Sequence, residues 1–100
     1  VREQKWLTLS DAIARLSLLP ARRMSPFAPA FARKGRIQVG ADADLVIFDP
    51  KTVSARASYL EPFLSPTGIH SVVVAGRVSV QHGQMLDTAG VGTQITSLTP

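Results

Sequence analysis

The sequence predicts an α+β fold in which one amphipathic helix precedes several short antiparallel strands. Two patterns carry that expectation: a three- and four-residue apolar period confined to residues 7–19, and short apolar runs bounded by Gly, Pro and Asp from residue 37 onward. An apolar fraction of 45% in 100 residues fits one small globular domain and argues against a disordered chain. A chain of this length buries only about two thirds of the surface its unfolded form exposes, so its stability margin is thin.

Leu9, Ala12, Ile13, Leu16 and Leu19 form the apolar stripe of the helix. Thr8 and Asp11 have the spacing of a capping box, and Asp11 also complements the helix dipole in the first turn. Pro20 is expected to end this helix and to open a second short turn, Pro20 to Met24, giving a first unit of residues 1–24. Residues 25–36 read as a basic linker. Arg22, Arg23, Arg33, Lys34 and Arg36 place five cations in fifteen residues without an acid.

Residues 37–84 then carry strand patterns. Ile37 to Val39 and Ala43 to Asp49 are expected to form an antiparallel pair around a turn at Gly40-Ala41-Asp42. Leu45 to Phe48 is apolar on both faces, which predicts a strand covered on both sides, and Pro50 closes it. Residues 51–68 are irregular, with Pro62, Pro66 and Gly68 as breakers. Ile69 to Val74 and Val78 to Gln81 form the clearest hairpin, joined at Ala75-Gly76-Arg77 and stopped by Gly83. Residues 85–100 are polar and expected to be a weakly ordered tail.

Composition excludes several chemistries. There is no Cys, hence no disulfide, thiolate zinc site or cysteine nucleophile. The longest aliphatic or aromatic run, Leu45 to Phe48, is far short of the ~20 residues that span a bilayer as a helix. The start, Val1-Arg2-Glu3-Gln4-Lys5, mixes charges and has no apolar run behind it, unlike a secretory signal, so a cytoplasmic location is expected. A chain that begins at Val and opens directly into a helix is expected to be cut from something longer.

No residue stands out as catalytic, cofactor-binding or metal-ligating. His70 and His82 are the only histidines, and the acids nearest in composition are Asp42, Asp44 and Asp49. A surface histidine pair is favoured over a metal site, which needs a further ligand. Gly40 to Leu45 superficially has a calcium-loop spacing, but the Gly at the sixth loop position and the Glu at the twelfth are missing. Asp42 reads as a turn residue and Asp44 as a strand-start carboxylate able to accept backbone N–H bonds. No Ser lies in a nucleophile elbow, and Gly35-x-x-x-x-Gly40 lacks the Lys-Ser/Thr of a phosphate loop. The basic run could serve nucleic acid. A solvated linker, or one paired with acids elsewhere in a larger protein, is favoured over that use.

Three ordered segments resemble one family. Gly35-Arg36-Ile37-Gln38-Val39-Gly40-Ala41-Asp42-Ala43-Asp44-Leu45-Val46-Ile47-Phe48-Asp49 looks like the G-x-I-x-x-G-x-x-A-D-L-v-v-f-D signature near the C-terminus of amidohydrolase-superfamily enzymes. Leu16-Ser17-Leu18-Leu19-Pro20-Ala21-Arg22-Arg23 resembles the T-x-x-P-A-r-x-l segment after their last barrel helix. Gly68-Ile69-His70-Ser71-Val72-Val73-Val74-Ala75-Gly76-Arg77-Val78 resembles G-I-x-x-V-x-V-N-G-x-x-V. Thr52, Val53, Arg56, Ala57 and Pro62 resemble the N-acyl-D-amino-acid deacylase and hydantoinase/dihydroorotase-like branch. Two departures stand out: Ala75 replaces the usual Asn, and the tail lacks a basic Pro-Gly-Arg-like ending.

The resemblance implies the C-terminal portion of a metal-dependent hydrolase of linear or cyclic amides. It implies residues 1–24 as the last barrel helix and its turn, and 37–84 as the C-terminal share of a small β-sandwich completed by N-terminal strands. In such enzymes zinc or another divalent metal and the catalytic groups lie on barrel strands upstream, so no catalytic, cofactor or metal residue carries over to this chain. The implied partners are the missing strands and barrel, not nucleic acid or membrane. Alone, the chain is expected to be inactive and to self-associate through uncovered apolar surface. The competing reading is a stand-alone β-rich binding module that uses the basic linker.

Overall fold

The computed structural model describes residues 1–86 and 90–99. Two short helices and a 3-10 turn precede a four-stranded antiparallel sheet: α1 Leu9–Leu16, α2 Leu18–Met24, the 3-10 turn Pro29–Arg33, β1 Leu45–Phe48, β2 Ile69–Val74, β3 Arg77–Gln81 and β4 Gln84–Met85. The strand order is β1-β2-β3-β4, so each strand pairs with its neighbour in sequence. This is an α+β arrangement.

The helical segment divides differently from the expectation. Thr8 caps α1 as its spacing implies, accepting from the Asp11 N–H at 3.2 Å. The break then comes at Ser17 (φ −130°, ψ −72°), and Pro20 lies inside the first turn of α2. The cause is Pro20 itself. Its missing N–H and its ring forbid a helical bond to the carbonyl four residues back, which belongs to Leu16. The first helix therefore ends at Leu16, and Leu19 falls on the second. Ser17 bridges the break, its hydroxyl and N–H both donating to the Ile13 carbonyl at 2.6 and 3.0 Å.

Gly35 packs against this break. A Cβ there would lie 2.6 Å from the Ser17 carbonyl oxygen, and its φ is +71°, so contact and conformation both demand glycine. The basic segment is not wholly irregular. Its 3-10 turn buries Ala30, and together with Ala28 and Ala21 this forms the buried apolar core among the described residues.

Ile37 to Val39 is not a strand, and both terminal residues of that run are fully exposed. The segment closes instead as a loop, with the Asp42 N–H donating to the Arg33 carbonyl at 3.0 Å. β1 finds its partner in β2, Leu45 opposite Val73 and Val46 opposite Val72. Nor is β1 covered on both sides: Val46 and Ile47 remain 54% and 55% exposed. β1 starts later than expected and ends where Asp49 turns the chain, its carboxylate accepting from the Lys51 N–H at 2.8 Å.

The β2–β3 hairpin forms with Val74 opposite Arg77 and a two-residue loop, Ala75 (φ 50°) and Gly76 (φ 79°). Positive φ at both central residues defines a type I′ turn, whose twist matches that of the strands. β3 thus begins at Arg77. Gly83 does not end the sheet; with His82 (φ 53°) it makes a second two-residue turn into β4, with Gln81 opposite Gln84. Residues 87–89 and 100 of the expected tail lie outside the described residues.

Between β1 and β2 the chain leaves and returns through one bridge, Ser54 opposite Thr67. Gly68 anchors that return. Its φ is +81°, and a Cβ would lie 2.4 Å from the backbone of Val53. The helices stand off from the sheet: no Cα of α1 or α2 comes within 8 Å of a strand Cα. The radius of gyration is 15.0 Å, against about 13 Å for a compact chain of this length.

Two substitutions test these constraints. Ala75→Asn should stabilise the chain by a few tenths to about 1 kcal/mol, because Asn enters the left-handed region more readily. A lower melting temperature would contradict a type I′ turn. Gly68→Ala should destabilise by about 2 kcal/mol or more, combining left-handed strain with a backbone clash; denaturant titration reads this directly.

Candidate functional site

The polar residues of the signature converge on a charge cluster rather than a reaction centre. Lys34, at the end of the 3-10 turn, reaches Asp42 at 2.9 Å and Asp44 at 2.5 Å. Arg33 reaches Asp42 at 3.4 Å. Asp44 also accepts the Ala75 N–H at 2.8 Å, while the Gly76 N–H donates to the Ala43 carbonyl at 3.0 Å. One carboxylate thus ties the basic segment, the entry to β1 and the β2–β3 turn together. Asp44 accepts a backbone N–H as expected; Asp42 instead lies just past the turn that the Ala41 N–H closes on the Gln38 carbonyl, and its carboxylate pairs with Lys34 and Arg33.

The hydrogen bond from Lys34, then that from the Ala75 N–H, holds the Asp44 carboxyl below the usual range. Asp42 is lowered chiefly by its bond to Lys34, and Lys34 is raised chiefly by Asp44. Two cations of the basic run are therefore neutralised within the chain, which removes part of the charge a nucleic-acid surface would need.

His70 and His82 do meet. Their rings lie edge to face with centroids 4.7 Å apart, and His70 Nδ1 shares a hydrogen bond with the Ser71 hydroxyl. Nothing in the spacing of twelve residues announced this contact; the left-handed turn at His82-Gly83 brings it about. Asp42, Asp44 and Asp49 lie elsewhere in the hydrogen-bond pattern. Among the described residues no three His, Asp or Glu side chains are grouped to hold a metal ion.

An open apolar groove of about 770 Å³ lies between α1 and one face of the sheet. Leu9, Ile13 and Leu16 line one wall, and Val46, Phe48 and Ile69 the other. The helical stripe legible in the sequence therefore faces the sheet across unfilled space. Among the described residues no helix is long and apolar enough to cross a membrane.

Comparison with known proteins gives a consistent picture. The chain is 45% identical over 76 residues to an N-acyl-D-glutamate deacylase of Alcaligenes xylosoxydans xylosoxydans. It is 38% identical over 77 residues to an N-acyl-D-aspartate deacylase of that organism and 40% identical over 75 residues to its D-aminoacylase. These matches take in about three quarters of this chain but 14% of each relative. Any stretch of 75 residues in a chain of 100 includes residues 26–75, so the charge cluster and most of the sheet lie in the shared region. No family model and no solved structure matches. Over that shared stretch the chain is homologous to D-aminoacylase-like deacylases, and it corresponds to a fragment of such an enzyme.

The cluster yields a test with a defined sign. Asp42 and Asp44 have lowered carboxyl pKa values in the fold, so their stabilisation is present above the unfolded value near 3.8 and lost as pH falls through the lower folded one. Lys34 contributes fully below 10.5 and loses its contribution as pH rises through its raised folded value. Asp44→Asn should cost about 1 kcal/mol near neutrality, a surface-discounted figure for a charged hydrogen bond, and should flatten the acid limb of stability against pH. An unchanged acid limb would show that Asp44 does not hold the turn.

Proposed function

We propose that this chain is the scaffold portion of a D-aminoacylase-like amidohydrolase that removes the acyl group from N-acyl-D-amino acids. Residues 1–24 would be the last helical segment of its barrel, and 37–84 the C-terminal share of a composite β-sandwich. Catalytic, metal and cofactor residues would all lie outside the segment. The observation that carries this reading is the use made of the motif residues. Gly35 seats the helix break, Gly68 seats the loop return, and Asp44 braces the hairpin turn. Every one of those tasks is structural.

The groove supports a sandwich as well. A second layer packs about 10 Å from the first, and the apolar face of Val46, Phe48 and Ile69 is the kind of surface such a layer covers. The open edge of β1, apolar on both sides, suits a further strand from the same polypeptide. In the parent enzyme the divalent metal would activate water for attack on the amide carbonyl. On this reading the chain's own contribution is to hold the framework. A cytoplasmic location goes with this reading.

Residues 1–100 by themselves should release no free D-amino acid from N-acyl-D-glutamate and should retain no stoichiometric zinc by elemental analysis. Exchanging the chain for the matching segment of the Alcaligenes N-acyl-D-glutamate deacylase should give an active chimera. A soluble, folded, inactive chimera would sink the scaffold reading.

A further inference from the structure

We infer that residues 55–66 are a docking arm that seats Tyr59, Leu60 and Phe63 in an apolar recess on the part of the deacylase polypeptide outside this segment. The inference rests on the scaffold reading and deepens it by naming a contact surface distinct from the sheet.

The segment is closed and braced. Two backbone bonds at its base join Ser54 and Thr67, N–H to carbonyl in each direction at 3.0 and 2.9 Å. Gly68 wedges against Val53 just beyond. Inside the loop the Ser58 N–H donates to the Glu61 carbonyl at 3.1 Å, and the Glu61 N–H donates to the Ser58 hydroxyl at 3.1 Å. Pro62 and Pro66 restrict the return limb further.

Closed loops of this length ordinarily pack their own side chains inward. This one turns them out: Tyr59 is 99%, Leu60 88% and Phe63 97% exposed. Three large apolar side chains on a braced loop form a preorganised surface, which loses little order on binding. Aromatic residues in such positions supply most of the apolar area of a contact, and the Tyr59 hydroxyl requires a hydrogen-bond acceptor at the rim of the recess.

The occupant follows from the comparisons. The arm lies inside the region shared with the deacylases, and this chain amounts to 14% of each. Most of the surface such an enzyme could offer therefore belongs to polypeptide outside the segment. The groove beside α1, which a second copy could also offer, is the surface the scaffold reading gives to the other sandwich layer.

The test is side-chain oxidation footprinting of Tyr59 and Phe63 in residues 1–100 and in the chimera with the Alcaligenes enzyme. Both residues should be freely oxidised in the isolated chain at low concentration and protected several-fold in the chimera. Tyr59→Ser/Phe63→Ser should make the isolated chain more soluble while lowering the melting temperature of the chimera. An active chimera in which both residues stay reactive would overturn the arm and leave the scaffold reading standing. Protection that grows with concentration of the isolated chain would assign the arm to a second copy and overturn the inference. A soluble, folded but inactive chimera would remove the scaffold reading, and the arm with it.

Discussion

The arrangement of this chain turns on the carboxylate of Asp44. It meets Lys34 ten residues earlier and the Ala75 N–H thirty-one residues later. Each bond is worth only about 1 kcal/mol net at a partly exposed site. Their value lies in what they join: the end of the 3-10 turn, the start of β1 and the tip of the hairpin. Ala75 occupies a left-handed conformation that costs a non-glycine residue about 1 kcal/mol, and the bond to Asp44 offsets that strain. Take the carboxylate away and the hairpin tip loses its direct tie to Lys34, leaving the Asp42 contacts to Arg33 and Lys34 and the Gly76–Ala43 bond to hold the join.

Local chemistry made part of this legible in the sequence. The cap at Thr8, the α1 stripe and the Ala75-Gly76 turn each depend on residues within four positions of one another, so their spacing reports their structure. The break at Ser17 was misplaced because Pro20 acts on the carbonyl four residues back rather than on its own position. The Ile37 to Val39 run read as a strand because its composition is apolar. What decided otherwise was non-local: Arg33, Lys34, Asp42 and Asp44 close the segment into a loop, and β1 pairs with β2 across twenty residues of irregular chain. Alternation alone does not record a partner.

The site was legible in another sense. Asp42, Asp44 and the glycines stood out as a pattern before any role could be given to them, and their roles are those of brace and spacer. The histidine contact was invisible because it depends on a positive φ at His82, where the residue type gives only a weak preference. The relatives, two named as N-acyl-D-amino-acid deacylases and one as a D-aminoacylase, then supply a chemical context that the described side chains do not.

The apolar content completes the argument. At 45% it is ordinary for a globular domain, yet among the described residues the buried apolar core is Ala21, Ala28 and Ala30. Burying a valine, isoleucine or phenylalanine stabilises a fold by about 1.5–3 kcal/mol, and here Val46, Ile47 and Phe63 leave much or all of that unrealised. The stripe of α1 and the face of β1 have the periodicities of helix and strand, but their complementary surfaces are missing from each other. A sequence that invests in apolar faces without closing them is patterned for surfaces it meets in a larger chain.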